Sequence, residues 1–419
     1  MTGKYTLIFD GNFWLHKTFF IGQKIKQGKP FNFIDEPEAD KNLLLWKLAT
    51  DFAAEIKRFE GIVNRVVYTV DSSSWRKQVQ TDQEYKGHRK KSSDINWNEI
   101  YNVHNEFIKG LESLGVIVSR IQHAEADDLI FAWSSYLNQQ GSNAMIISGD
   151  NDLLQLVNLD KSSGANTLYY NKFDKDLHVF PGFQTWLDQE DYATTNDIFN
   201  LPVDLMSNTK HHLRDIIKAN KMSMDEVNTN EFIFRKILIG DAGDNVSPLD
   251  IKIKETKQGQ RVYRVSDKQA NDVLSEFKES RIFVNQSHFF NLDHITDICK
   301  IAKRVIKIEK PDIEIINKWK INRDLVFLHT GCIPQEVGIA MFESIEKTWK
   351  STLSSTNIYS IMDKESILKG TTYSKEKKDS FAESGIFNAL GKDKVNPEVK
   401  VVEKKDTSFD DTFWNDLLK

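Results

Sequence analysis

Over the N-terminal part of the chain, short apolar runs alternate with longer stretches in which apolar residues return roughly every three or four positions. Tyr5-Thr6-Leu7-Ile8-Phe9 reads as a buried strand that ends at the turn-forming Asp10-Gly11-Asn12. Leu45, Leu48, Phe52, Ile56 and Phe59 share one face of a predicted helix within 43–59. The β-branched run Arg65–Val70 is a second predicted strand, again followed by an acid, Asp71. Ile100, Val103, Phe107, Leu111 and Leu114 mark a helix ended by Gly115, Val116–Val118 a strand, and a further helix opens at Glu125. Ala144–Ser148 predicts a fourth strand and runs into Gly149-Asp150-Asn151-Asp152.

Strands alternating with helices imply an α/β fold with a parallel sheet and right-handed crossovers, in which ligands bind beyond the carboxyl ends of the strands. Asp10, Asp71 and Asp150 stand at such ends, so the acids are expected together at one edge of the sheet. Leu168–Tyr170 and Leu177–Phe180 pattern as a hairpin. After Asn200 the pattern is mostly helical, with Phe232–Ile239 leading into Gly240-Asp241. Beyond Gly370 the composition turns to Lys, Ser, Asp and Glu, as in a linker, and the stretch Phe409–Leu418 regains aromatics.

Three segments concentrate the acids: Glu125-Ala126-Asp127-Asp128, Gly149-Asp150-Asn151-Asp152 and Gly240-Asp241-Ala242-Gly243-Asp244-Asn245. Together with Asp10 and Asp71 they crowd anions into one pocket, which requires protonation or bound cations. Oxygen donors without His or Cys select hard ions, Mg²⁺ or Mn²⁺. The acids suffice for two ions about 3.5–4 Å apart, as in two-metal phosphodiester cleavage. Taken singly, each acid has a plainer reading as turn former, helix cap or dipole partner. Their joint placement on successive strand ends favours the metal site.

The length of 419 residues suits two or three domains, and 40% hydrophobic with 28% charged residues suits a folded chain. No apolar run approaches the roughly 18 residues of a membrane span. Met1–Asp10 lacks the layout of a signal peptide, and Cys299 and Cys332 show no disulfide or metal spacing, so a cytoplasmic protein is expected. The net charge of −5 speaks weakly against a nucleic-acid partner, but it conceals local excesses. Between Arg76 and Lys91, six basic residues (Arg76, Lys77, Lys86, Arg89, Lys90, Lys91) face two acids.

In order, Leu7-Ile8-Phe9-Asp10-Gly11-Asn12, Val70-Asp71, Glu125-Ala126-Asp127-Asp128, Ser148-Gly149-Asp150-Asn151-Asp152 and Gly240-Asp241-Ala242-Gly243-Asp244-Asn245 resemble the motifs of the flap endonuclease/5′-3′ exonuclease family. The resemblance covers roughly residues 4 to 345. Through Trp75-Arg76-Lys77 and Tyr85-Lys86-Gly87-His88-Arg89 it is nearest the family's ribonuclease H branch in T-even phages. It implies a PIN-like parallel sheet flanked by helices within a catalytic domain over 1–198, carrying a basic arch near 75–95. A mostly helical DNA-binding region over 199–369 with a diverged helix-hairpin-helix-like element would follow, then a linker over 370–408 and a peptide over 409–419. The implied activity is a Mg²⁺-dependent (or Mn²⁺-dependent) 5′ nuclease for flaps, nicks and RNA primers, acting in replication or repair, in the host cytoplasm if the chain is of phage origin.

The resemblance assigns Asp10, Asp71, Glu125 and Asp127 to a first metal site, Asp150 to both, and Asp152, Asp241 and Asp244 to a second, with Asp128 as a further ligand. Arg76 and Lys86 would neutralise phosphates during catalysis, Tyr85 would stack on a base, and Lys77, Arg89 and Lys90 would extend the contact with the strand. A solvated helix face is the alternative for this basic run. Lys252, Lys254, Lys257, Arg261 and Arg264 are expected on duplex phosphates, although the Gly-Ile-Gly turn of the family is missing after Val246-Ser247-Pro248. Phe413, Trp414, Leu417 and Leu418 would line one side of a short helix, expected either to dock a sliding clamp or single-strand-binding protein or to pack back on the core. A PIN-type ribonuclease would not need the basic arch or the helical region. A silent binding subunit would not keep every acid.

Overall fold

The computed structural model describes residues 4–25, 31–79, 84–89, 93–189, 205–256, 259–279, 289–351 and 357–373. From β1 (Tyr5–Asp10) the chain passes through α1 (Gly11–Ile25) and α2 (Pro37–Arg58) to β2 (Val63–Thr69), then through α3 (Trp97–Glu112) to β3 (Ile117–Ser119). α4 (Ala126–Gln139) returns it to β4 (Asn143–Ser148) on the other side of β1. β5 (Asn158–Leu159), β6 (Asn166–Asn171), β7 (Asp176–Val179), α5 (Phe183–Asp188), α6 (Leu205–Asn220) and β8 (Met224–Glu226) complete this part. The sheet order is β3-β2-β1-β4-β6-β7-β8, parallel from β3 to β6, with the expected antiparallel hairpin between β6 and β7. β8 falls in a stretch expected to be helical. Its Met-Asp-Glu residues are all exposed and carry no alternation, and parallel pairing with β7 makes them a strand.

The strand order reverses at β1, which lies between β2 and β4. Such a switch point opens a crevice at the carboxyl edge, and Asp10, Asp71 and Asp150 all lie there. α1, α2 and α3 pack together on one side, while α4 covers β1 and β4 from the other, as right-handed crossovers require. α2 starts with Pro37, carries Glu38 and Asp40 in its first turn and ends with Lys57 and Arg58, charges that complement its dipole. Its Phe52 packs on Phe9, Tyr68 and Phe107; burying a side chain of this kind contributes about 2–3 kcal/mol.

The rest of the described chain comprises α7 (Thr229–Ile239), β9 (Asp250–Thr256), β10 (Gly259–Arg264), α8 (Asp267–Glu279), α9 (Leu292–Ile306), α10 (Asp312–Val326), α11 (Gln335–Ser351), α12 (Ile358–Ile361) and α13 (Lys364–Lys369). It is helical except for β9 and β10, an antiparallel pair standing where a diverged helix-hairpin-helix-like element was expected. A second apolar cluster, around Phe234, Phe289 and Trp319, holds α7 to α10. The first cluster extends past residue 198 and takes in Leu213, Met341, Ile345, Ile361 and Ile367. No helix among the described residues is long and apolar enough to cross a membrane.

Candidate metal centre at the sheet edge

β1 is buried along its whole length and delivers Asp10 to the edge, where the carboxylate accepts hydrogen bonds from Phe13 N (2.9 Å) and Ser148 Oγ (2.8 Å). A Cβ on the next residue, Gly11, would collide with Thr69 O and the Tyr68 ring. Asp71 accepts from Ala126 N at 2.6 Å, which ties the end of β2 to the first turn of α4. Glu125 caps α4 in a reciprocal capping box with Asp128, and Asp127 lies in the same turn. Asp150 caps a 3₁₀ turn (Asn151–Leu156) by accepting from Asp152 N at 2.9 Å. After α7, Gly240 takes φ 67° against Val246 O, a conformation open to glycine. Asp241 Oδ1 then accepts from Gly243 N at 2.8 Å and Asp244 N at 3.3 Å.

The acids divide by their electrostatic surroundings. Burial pushes the Asp10 carboxyl up to about 7, against the pull of its two hydrogen bonds, and the charges of Asp71 and Asp150 add to the rise. Burial likewise takes Asp150 up to about 6, although Lys236 pulls the other way. Asp127 is raised well above the carboxylate range by burial and by Asp150 and Asp10. Crowding by the chain and by Glu125 raises Asp71 as well, but this residue is open to solvent at the mouth, where water screens part of the repulsion.

The remaining acids are clamped by cations. Glu125 receives Lys86 Nζ at 2.7 Å, Arg76 Nη1 at 2.9 Å and Tyr85 OH at 3.1 Å. Burial works to raise its carboxyl, yet Lys86 and Arg76 together hold it at about 2. Asp244 binds Tyr85 OH at 2.6 Å and Arg89 Nη2 at 2.7 Å. Lys236 pairs with Asp152 and, at 2.9 Å, with Asp241. Burial opposes the ionisation of Asp241, but Lys236 prevails and its pKa is lowered.

One oxygen each from Asp152, Asp241 and Asp244 lies within 4.8 Å of the other two. Charges this close repel by on the order of 3 kcal/mol per pair at an effective dielectric of about 20, and an all-carboxylate set suits a hard divalent ion. These residues fit the second of the expected ions. The first-site acids Asp10, Asp71, Glu125 and Asp127 form no such group among the described residues. Glu125 is drawn to Lys86 and Arg76, and Asp71 to Ala126 N. The raised carboxyls of Asp10, Asp127 and Asp150 nevertheless mark negative charge that a cation would relieve.

Three expectations need correction. Asp128 is not placed as a metal ligand: it is fully buried, and its oxygens accept from Arg76 Nη1 and Nη2 (3.0 and 2.7 Å), Trp75 Nε1 (3.1 Å) and Glu125 N (3.0 Å). Arg76 is not free to meet a phosphate, because it is 2% exposed and its Nε, Nη1 and Nη2 go to Leu325 O, Glu125 and Asp128. Tyr85 is buried against the second apolar cluster with its hydroxyl on Glu125 and Asp244, so it offers no face to a base.

The segment 84–89 docks on the Gly240–Asn245 loop through Lys86 N to Asp244 O (2.9 Å), Asn245 Nδ2 to Glu84 O (2.9 Å) and Arg89 to Gly243 O. Lys77 is exposed. On the β9–β10 pair, Lys254 and Arg261 lie directly opposite each other around Tyr263, while Lys252 pairs with Glu309 and Arg264 with Asp250. Lys90, Lys257 and the peptide 409–419 lie outside the described residues. Sequence reasoning missed Lys236 and Ser148. Ser148 was visible as the last strand residue before Gly149-Asp150, whereas no local pattern marked Lys236.

A doubly wound sheet with acids gathered at its switch point places candidate metal ligands where such sheets bind ligands. Residues 5–178 match the family model described as the 5′-3′ exonuclease, N-terminal resolvase-like domain. The N-terminal part of the chain is thus similar to the N-terminal domain of 5′-3′ exonucleases. A 5′-3′ exonuclease of Buchnera aphidicola subsp. Schizaphis graminum is 27% identical over 182 residues, 42% of this chain and 58% of that protein. The chain thus spans little more than half the length of that relative. Among solved structures, the bacteriophage T5 D15 protein co-crystallised with metal ions is 15% identical, with a TM-score of 0.47 over 86% of this chain and 100% of the other. The T5 D15 flap endonuclease complex with DNA and metal ions is also 15% identical, with a TM-score of 0.45 over 83% of this chain and 100% of the other.

Proposed function

We propose that the chain is a divalent-metal-dependent, structure-specific 5′ nuclease that hydrolyses phosphodiesters at flaps, nicks and the RNA of RNA–DNA hybrids, in DNA replication or repair within a cytoplasm. The observation that carries this reading is the convergence of the family's acids on the carboxyl edge around β1 and β4. Asp152, Asp241 and Asp244 would hold one Mg²⁺, and Asp10, Asp71, Asp127 and Asp150 the acids around a second. Bound there, the ions supply an activated water and charge stabilisation for the leaving oxygen. Glu125, kept ionised by Lys86 and Arg76, fixes the position of Lys86 at the mouth, where its ammonium can meet a phosphate. Arg76 acts behind it by locking Glu125 and Asp128 together. Lys254 and Arg261 extend a cationic face for duplex phosphates, and the peptide 409–419 is the candidate contact for a replication partner.

The test is cleavage of end-labelled flap, nicked and RNA-primed duplexes, with and without Mg²⁺, by the native chain and by Asp150→Asn. Mg²⁺-dependent release from the 5′ end is expected, with a loss of roughly a thousandfold in the variant while DNA binding persists. Equal cleavage by the variant would remove the assignment. Preferential attack on the RNA strand would support the primer-removal reading over DNA flap cutting.

A further inference from the structure

Lys236 sits among the acids. α7 buries Ile233, Phe234, Ile237 and Leu238 in the second apolar cluster and also packs on the 3₁₀ turn that follows Asp150, where Lys236 reaches Asp152. The neighbouring Arg235 goes to Asp267 instead, at 3.1 Å. The Lys236 ammonium pairs with Asp152 and, at 2.9 Å, with Asp241, two of the three acids whose oxygens gather within 4.8 Å. Its side chain is 12% exposed and that of Asp241 10%, so the pairing is shielded from bulk water. Lys86, another lysine in the cleft, sits on Glu125 at 2.7 Å and stays 3.7 Å from Asp244.

An oxygen that accepts from an ammonium N–H is partly withdrawn from a metal, and the ammonium repels an incoming cation. We infer that Lys236 is a built-in counter-cation of the Asp152–Asp241–Asp244 cluster, one that holds these acids together and competes with a divalent ion for their oxygens. This rests on the metal-centre reading above. Lys236 is a positioning residue in this role: ion occupancy of the cluster is set against its own ion pairs.

Mn²⁺ titration of the full chain, followed by electron paramagnetic resonance without substrate, tests this. Lys236→Met is expected to tighten the weaker Mn²⁺ site by roughly tenfold, the factor for a cluster free of the lysine about one-tenth of the time. Lys236→Arg keeps the charge and is expected to leave the affinity near that of the native chain. Unchanged or weaker Mn²⁺ binding by Lys236→Met, with native circular dichroism, would overturn the inference, as would equal tightening by Lys236→Arg. If Lys236→Met does not fold, Lys236→Gln is read by the same criteria. A native chain that bound no Mn²⁺ would overturn the metal-centre reading itself. That differs from native binding that the variant fails to tighten, which overturns only the role of Lys236.

Discussion

Two sets of acids share one cleft and are treated differently by the chain. Asp10, Asp127 and Asp150 stand on the buried side near β1 and β4, where among the described residues no Lys or Arg forms an ion pair with them, and burial raises all three. Glu125, Asp128, Asp152, Asp241 and Asp244 each touch a cation from elsewhere in the chain. The second set is neutralised internally, and there the acids fix geometry: Arg76 welds the α4 cap to Leu325 O, and Lys86 and Arg89 join the 84–89 segment to the Gly240–Asn245 loop. The first set is offset only in part, by Lys236 and Lys86 acting without direct ion pairs, which is where an external cation gains most.

Breaking the internal set should therefore cost stability. Arg76→Ala leaves Asp128 and Glu125 buried without their partner, and a loss of about 3–5 kcal/mol in urea unfolding is expected. Arg76→Lys should recover little, because a point charge cannot replace the forked contacts. Near-native stability combined with slow cleavage would instead place Arg76 on the substrate.

The external set should respond to pH in the opposite sense to ordinary aspartates. Asp10 ionises near 7 in the folded chain against 3.8 for the unconstrained group, and Asp150 near 6. The folded state then holds more protons than the unfolded state, so this contribution to stability falls as pH rises from about 4 to about 7 in EDTA. Glu125 runs the other way. Ionising near 2 instead of 4.5, it contributes stability present above 4.5 and lost as pH falls towards 2. Urea midpoints of the native chain and Asp10→Asn across this range isolate the first effect. The expected gap narrows at low pH; a gap that widens there would contradict the assignment.

The smallest effect lies outside the cleft. Lys254 and Arg261 are cross-strand neighbours of like charge, an arrangement unfavourable on its own and relieved by an anion. Replacing both by Ala should reduce the slope of log affinity for duplex DNA against log salt by about 2. An unchanged slope would take the β9–β10 pair out of the DNA-binding surface.

The sheet and its terminal acids were legible because each apolar run of β1, β2 and β4 stops at or just before an aspartate, a local signal. Register with distant residues was not legible. Nothing near Asp128 tells that its oxygens are filled by Arg76 and Trp75, and nothing near Arg76 tells that it is buried under Leu325. Lys236 belongs to a helix far along the chain from Asp152, so their meeting is a property of the packing alone. β9 alternates in Asp250-Ile251-Lys252-Ile253-Lys254, a period of two that its lysines make look like a solvated charged stretch. β8 carries no pattern of its own, and its strand state comes from β7.

The most direct measurement is the melting temperature of the native chain and of Asp150→Asn in EDTA and in saturating Mg²⁺ at neutral pH. Mg²⁺ should raise the native midpoint, because an ion bound only by the folded state stabilises it, and should raise that of Asp150→Asn distinctly less. No Mg²⁺ shift in the native chain, or the same shift in both, would contradict a divalent-ion centre at this sheet edge.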